Sequence, residues 1–317
     1  MNRKRLLAGL LLCCVLLGCG PRTAQKAPAS RDFPTVEVPA MVSEAAEDRF
    51  AWVSAHFWDA FTRTEPVYAS DSTLLNGVKK EDVEKQMGVF ASLLHPLPLE
   101  QGVPAMRSFH ARLDAFQQAH PDSPLYPELT ELARRYFYDP NSPVRSEDLY
   151  RPLAEALSQS EWVPEDRRPT YAWEARMCAL NAVGTPATDF SFIDSKGRRR
   201  TLYGIRADIT LLIFGHPDCT ACKELVATME AYPQLLEHIQ KRELCVVDVY
   251  IDEELDAWKQ HVADYPQEWI NGYDPDYRIR TELLYHVRAV PSLYLLDRDK
   301  TVLLKDATPE DVLNALL

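Results

Sequence analysis

A chain of 317 residues, 46% of them hydrophobic, can fill more than one ordinary core. Its formal net charge of −12 excludes a protein held to nucleic acid by phosphate contacts, and seven cysteines over this length exclude a disulfide-stapled scaffold.

The N-terminus reads Met1-Asn-Arg-Lys-Arg5, followed by a leucine-rich apolar run that reaches Gly18 and Cys19. A basic start and an apolar run too short for a comfortable membrane span predict an export signal over residues 1–18. Leu16-Leu17-Gly18-Cys19 resembles the bacterial lipobox, which implies cleavage before Cys19 and acylation of that cysteine as a membrane anchor. Residues 19–44 are polar, proline-rich and aperiodic, the composition of a flexible tether. Loss of Arg3, Lys4 and Arg5 with the signal takes the charge from −12 to −15, so membrane attachment must come from lipid and not from a basic patch. The expected location is therefore a lipid anchor in the bacterial cell envelope. No acidic run follows Cys19, which favours a periplasm-facing anchor. Processing leaves four protein thiols: Cys178, Cys219, Cys222 and Cys245.

Residues 45–180 are predicted to form a helical domain, for which no chemistry can be assigned. Phe50, Val53, Phe57, Trp58 and Phe61 make one apolar stripe, and Val83, Met87, Phe90, Leu93 and Leu94 another. Further helices are expected over 103–119, 126–137 and 146–158, with breaks at Asp71-Ser-Thr, Leu97-Pro-Leu and Asp139-Pro-Asn-Ser-Pro143. Residues 173–180 read as a connecting helix. His56, His95, His110 and His120 lack ligand spacing and read as surface or satisfied core residues.

A second domain is predicted over 181–317. Strands are expected over Asp189–Asp194, Arg200–Tyr203, Leu244–Tyr250, Val290–Asp297 and Thr301–Lys305, and a final helix from Pro309 capped by Thr308. Residues 252–288, rich in proline, tryptophan and tyrosine, read as an insert that packs on the sheet edge or covers the site. At the centre, Thr210–Gly215 is an apolar run, His216-Pro-Asp218 a turn, and Cys219-Thr-Ala-Cys222 the opening of a helix in which Cys222, Leu225, Val226 and Met229 recur. Cys219 then faces the unpaired N–H groups and positive end of the helix, and Cys222 lies one turn in, mostly covered. A neighbouring Asp218 opposes a thiolate there, whereas a charged His216 favours it. The spacing leaves three states open: a redox dithiol, a structural disulfide, or half of a zinc site lacking its other ligands. It also leaves open a bridge between Cys178 and Cys245. No nucleotide loop, flavin motif or HExxH appears, so neither an organic cofactor nor a metal is implied. The Pro-x-x-x-Thr/Ser-x-x-Cys frame of a thiol peroxidase is absent.

Val183-Gly-Thr-Pro-Ala-Thr-Asp-Phe190, the Cys219/Cys222 pair and Val290-Pro-Ser-Leu-Tyr-Leu-Leu-Asp297, in this order, resemble the TlpA/ResA-type branch of the thioredoxin-like superfamily. The likeness covers about 180–317. With a lipobox and helical region in front, the chain is similar to lipid-anchored Bacteroidetes proteins whose N-terminal domain has no known function. The resemblance implies an all-α domain followed by an α/β thioredoxin-like domain with a central mixed sheet flanked by helices. It further implies that Cys219 attacks, Cys222 resolves, Pro291 is a cis-proline facing them, and the Val290 backbone contacts an extended substrate. The implied function is thiol-disulfide exchange, leaning to reduction, with a disulfide-bearing protein or small-thiol substrate and an envelope electron donor as partners. His216-Pro-Asp218 departs from the aromatic pair common in relatives. Relatives often set a buried acid near the dithiol; Glu224 falls one residue short of the usual position and stands with His216 and Asp218 as a modulator. The alternative is a non-catalytic envelope interaction protein that uses its helical domain and keeps the dithiol as structure.

Overall fold

A computed structural model describes residues 30–42 and 44–317. The expected signal and Cys19 lie outside the described residues. Part of the segment expected to be a tether is docked: Arg31 Nε donates to the Asn76 carbonyl at 3.0 Å, and the Phe33 ring stacks on Phe61 with centroids 5.1 Å apart. Phe33 and Val36, two of the apolar side chains that this stretch carries along with Val38, Met41 and Val42, both pack against the first core.

The first lobe is built from α1 (Ala46–His56), α2 (Lys80–Leu94), α3 (Leu99–Ala119), α4 (Leu125–Phe137), α5 (Glu147–Leu157) and α6 (Arg168–Ala179). The stripe on α2 buries Val83, Met87, Phe90 and Leu94 against α3 and α4 residues Met106, Phe109, Leu113 and Leu129. Trp58 meets Phe90 edge-on at 5.9 Å and Phe109 at 5.5 Å, so one indole ties the end of α1 to two other helices. One element departs from the helical expectation. A two-residue hairpin, β1 (Leu74–Leu75) with β2 (Val78–Lys79), turns through Asn76 at φ 45° and Gly77 at φ 80°. Both central residues of such a turn require positive φ, which Asn-Gly supplies.

The second lobe contains a seven-stranded mixed sheet in the order β4-β3-β7-β6-β5-β8-β9. Its strands are β3 (Ser191–Asp194), β4 (Arg199–Thr201), β5 (Ile209–Gly215), β6 (Leu244–Tyr250), β7 (Ile270–Tyr273), β8 (Ser292–Leu296) and β9 (Val302–Leu304). The helices are α7 (Thr220–Glu230), α8 (Pro233–Gln240), α9 (Leu255–His261), α10 (Arg278–Thr281) and α11 (Pro309–Leu316). β5, β6 and β7 run parallel, and β8 returns antiparallel to β5. Alternation sorts the side chains. Leu211, Ile213, Val246, Leu293 and Leu295 meet Leu225 and Met229 of α7, while Leu212, Phe214, Val247, Val249 and Tyr294 form a second core with Phe190 and Tyr285. The section expected as an insert holds β7, an interior strand between β3 and β6, so it is part of the sheet and not an addition to its edge. Thr308 caps α11 with Asp311 in a reciprocal capping box.

Candidate exchange site

β5 is buried along nearly its whole length and delivers the chain to the turn at His216–Asp218. In that turn His216 Nδ1 accepts the Asp218 N–H at 3.1 Å, and the Cys219 N–H donates to the His216 carbonyl at 3.1 Å. Cys219 is the N-cap of α7. Its Sγ accepts the Cys222 N–H at 3.1 Å, where an oxygen would sit in an ordinary cap, and its thiol donates to the Val290 carbonyl at 3.4 Å. Val290–Pro291 is a cis peptide at the entry to β8. Cys219 is part-exposed and Cys222 is 3% exposed. Burial, with the Cys219 thiol and Asp248 nearby, pushes the Cys222 thiol well above its ordinary range.

Asp248 is a buried ionisable group near the pair that sequence reasoning missed. It lies on β6 in register with Ile213, on the face that Leu244 and Val246 turn toward α7, and is 8% exposed. Burial raises its carboxyl to about 7. The neighbouring strand makes room for it: a Cβ on Gly215 would lie 2.9 Å from Asp248 Oδ1. Tyr265 also lies near both sulfurs, Asp248 and Asp218; burial first, and then those negative neighbours, push its hydroxyl up. The His216 ring stands 5.3 Å from that of Tyr250, whose buried hydroxyl has no hydrogen-bond partner.

Among the other expected site residues, Asp218 is exposed and stands 3.8 Å from His261 Nε2 of α9. Glu224 is exposed on α7. Cys178 lies in the helical core and Cys245 against the second core of the sheet, and all four described cysteines are free thiols. Among the described residues no three His, Cys, Asp or Glu side chains gather in a metal-binding group, and no helix is long and apolar enough to cross a membrane.

Fold and site define a thioredoxin-like α/β protein with a closely spaced cysteine pair, preceded by a helical lobe. A family model described as a domain of unknown function (DUF5106) matches residues 19–177. The crystal structure of a thioredoxin-like protein from Bacteroides caccae ATCC 43185 is 32% identical, with a TM-score of 0.76, over 90% of this chain and 97% of that one. The chain belongs to the family of thioredoxin-like proteins that carry this N-terminal domain of unknown function. The C-terminal domain of an uncharacterized protein from Bacteroides fragilis NCTC 9343 is 44% identical over 44% of this chain and 99% of that one, with a TM-score of 0.42. A domain of a possible thiol-disulfide isomerase from Cytophaga hutchinsonii ATCC 33406 is 24% identical over 44% of this chain and 92% of that one, with a TM-score of 0.36. Among curated proteins, none matches.

Proposed function

We propose that the protein reduces disulfides in the cell envelope by thiol-disulfide exchange at Cys219 and Cys222. The observation that carries this reading is the placement of the Cys219 sulfur. It sits at the helix start on the Cys222 N–H and beside the Val290 carbonyl, directly ahead of a buried second thiol. As a thiolate, Cys219 attacks one sulfur of a client disulfide; the client S–S bond breaks and its other sulfur leaves as a thiolate that takes up a proton. The buried Cys222 must lose its proton before it can resolve the mixed disulfide. Asp248, ionised at and above about pH 7, is the buried base near it. The Cys222 thiolate then attacks the Cys219 sulfur, and the second client sulfur departs. Two electrons have passed to the client, and Cys219 and Cys222 are joined until an envelope dithiol donor reduces them.

Val290 and Pro291 form the client-facing wall in this reading, and acylated Cys19 tethers residues 181–317 and the helical domain of 45–180 to a periplasm-facing membrane. His216, Asp218 and His261 set the charge around the attacking sulfur. Insulin-disulfide reduction tests the proposal: Cys219→Ser should abolish it, and Cys222→Ser should leave clients covalently trapped on Cys219. Reduction that survives Cys219→Ser would remove the function.

A further inference from the structure

The two lobes meet through a buried ionic cluster that extends to the exchange site. Glu147, in the first turn of α5, has a side chain only 3% exposed. Its Oε2 is 2.7 Å from Lys305 Nζ, and its Oε1 is 3.1 Å from Arg288 Nε and 3.0 Å from Arg288 Nη2. Lys305 also donates to the carbonyls of Cys178 and Leu180, at 2.7 and 2.6 Å. Arg288 donates to the Tyr138 carbonyl and lies 4.0 Å over the Tyr138 ring, and the His286 ring meets Trp173 of α6 at 5.0 Å. Beyond the loop, Ser292 Oγ donates to Asp306 Oδ1 at 2.9 Å, and Asp306 Oδ2 takes Arg145 Nε at 3.1 Å. Burial alone would raise the Glu147 carboxyl, but His286, Lys305 and Arg288 hold it down at about 2.

Arg288 and Ser292 bracket Val290-Pro291. One flank is tied to the helical lobe directly, through Glu147 and Tyr138, and the other through Asp306 and Arg145. Moving this loop away from the sulfurs would pull the Arg288 guanidinium off Glu147, breaking a buried ion pair and leaving that carboxylate to Lys305 alone, a displacement far costlier than bending a free loop. We propose that Glu147 is a positioning residue for thiol-disulfide exchange, holding through Arg288 the loop that lays the Val290 carbonyl against Cys219. The N-terminal domain is then a fixed part of the exchange machinery and not a spacer. The proposal rests on Cys219 as the attacking sulfur.

The test uses the reduced full-length chain with Glu147→Gln, following iodoacetamide alkylation at each cysteine by mass spectrometry alongside KM and kcat for insulin. Freed from the Val290 hydrogen bond and its loop, Cys219 should alkylate about fivefold faster, the order expected from one lost hydrogen bond. Cys245, on a strand away from the lobe contact, should keep its wild-type rate. The insulin KM should rise several-fold with kcat nearly unchanged. An unchanged Cys219 rate, or one that rises in step with Cys245 through general opening, overturns the proposal. If Glu147→Gln does not fold, Arg288→Lys keeps the charge but loses the Nε–H donated to Glu147 Oε1; it should shift Cys219 alkylation in the same direction, and no shift is equally fatal. Alkylation needs no exchange activity, so a wild-type protein inert toward insulin would defeat the reductase reading while leaving this measurement decisive.

Discussion

Replacing Asp248 with asparagine should make the protein more stable and less active, with both effects growing as pH rises. In the folded chain burial keeps the carboxyl protonated up to about 7, whereas its ordinary value is 3.8. Between those values the native state binds more protons than the unfolded state, so stability falls as pH rises. The favourable contribution is complete below 3.8 and lost as pH passes through about 7. At 1.36 kcal/mol per pH unit, the interval corresponds to about 4 kcal/mol, an upper figure because local relaxation lessens it. Asparagine fills the same space and does not titrate. Urea unfolding of the reduced proteins from pH 4.5 to 8.5 should show the variant ahead by about 1 kcal/mol or less at the acid end and by up to about 4 kcal/mol at the alkaline end. Over the same range, insulin reduction by Asp248→Asn should be slower by about tenfold or more, since the Cys222 thiol has lost its buried base. A stability difference that does not change with pH would refute the reasoning, because it would mean that the carboxyl is solvated inside the fold.

Gly215→Ala places a methyl 2.9 Å from Asp248 Oδ1, and the overpacking should cost about 1–3 kcal/mol in urea unfolding. Pairing this change with Asp248→Ala, which removes the clashing oxygen, should recover much of the loss. The His95–Asp311 contact of 2.9 Å joins the lobes with both side chains 26% exposed. The hydrogen bond to Asp311 raises the His95 ring, so its contribution is full below 6.5 and lost as pH rises through the higher folded value. His95→Gln should therefore cost more at pH 5.5 than at pH 8.5, by about 1 kcal/mol or less after solvent screening, as read by thermal unfolding at the two pH values.

What could be read from the residues, and what could not, divides on whether a feature repeats locally. The α2 stripe, the Leu244–Tyr250 strand and the Cys219 helix each carry their own period, and the structure has all three. Asn76-Gly77 was a local signal as well, but the helical pattern on either side hides a hairpin of two residues per strand. β7 is harder: Ile270-Asn-Gly-Tyr273 has weak strand propensity, and becomes a strand because β3 and β6 flank it on both sides. Asp248 left a trace, a single carboxylate in the otherwise apolar run Leu-Cys-Val-Val-Asp-Val-Tyr. Its link to Cys222 depends on the pairing of β5 with β6 and on the missing side chain at 215, neither of which is encoded within the segment. Glu147 and Arg288 left no trace at all. An acid in the first turn of a helix normally answers the helix dipole, and an arginine before a strand is normally solvated. Only the meeting of the lobes turns this pair into buried partners, 141 positions apart in the chain. For the same reason, the role of the helical lobe can be approached through its contact with the Val290 loop, because the chemistry nearest to that lobe belongs to the other one.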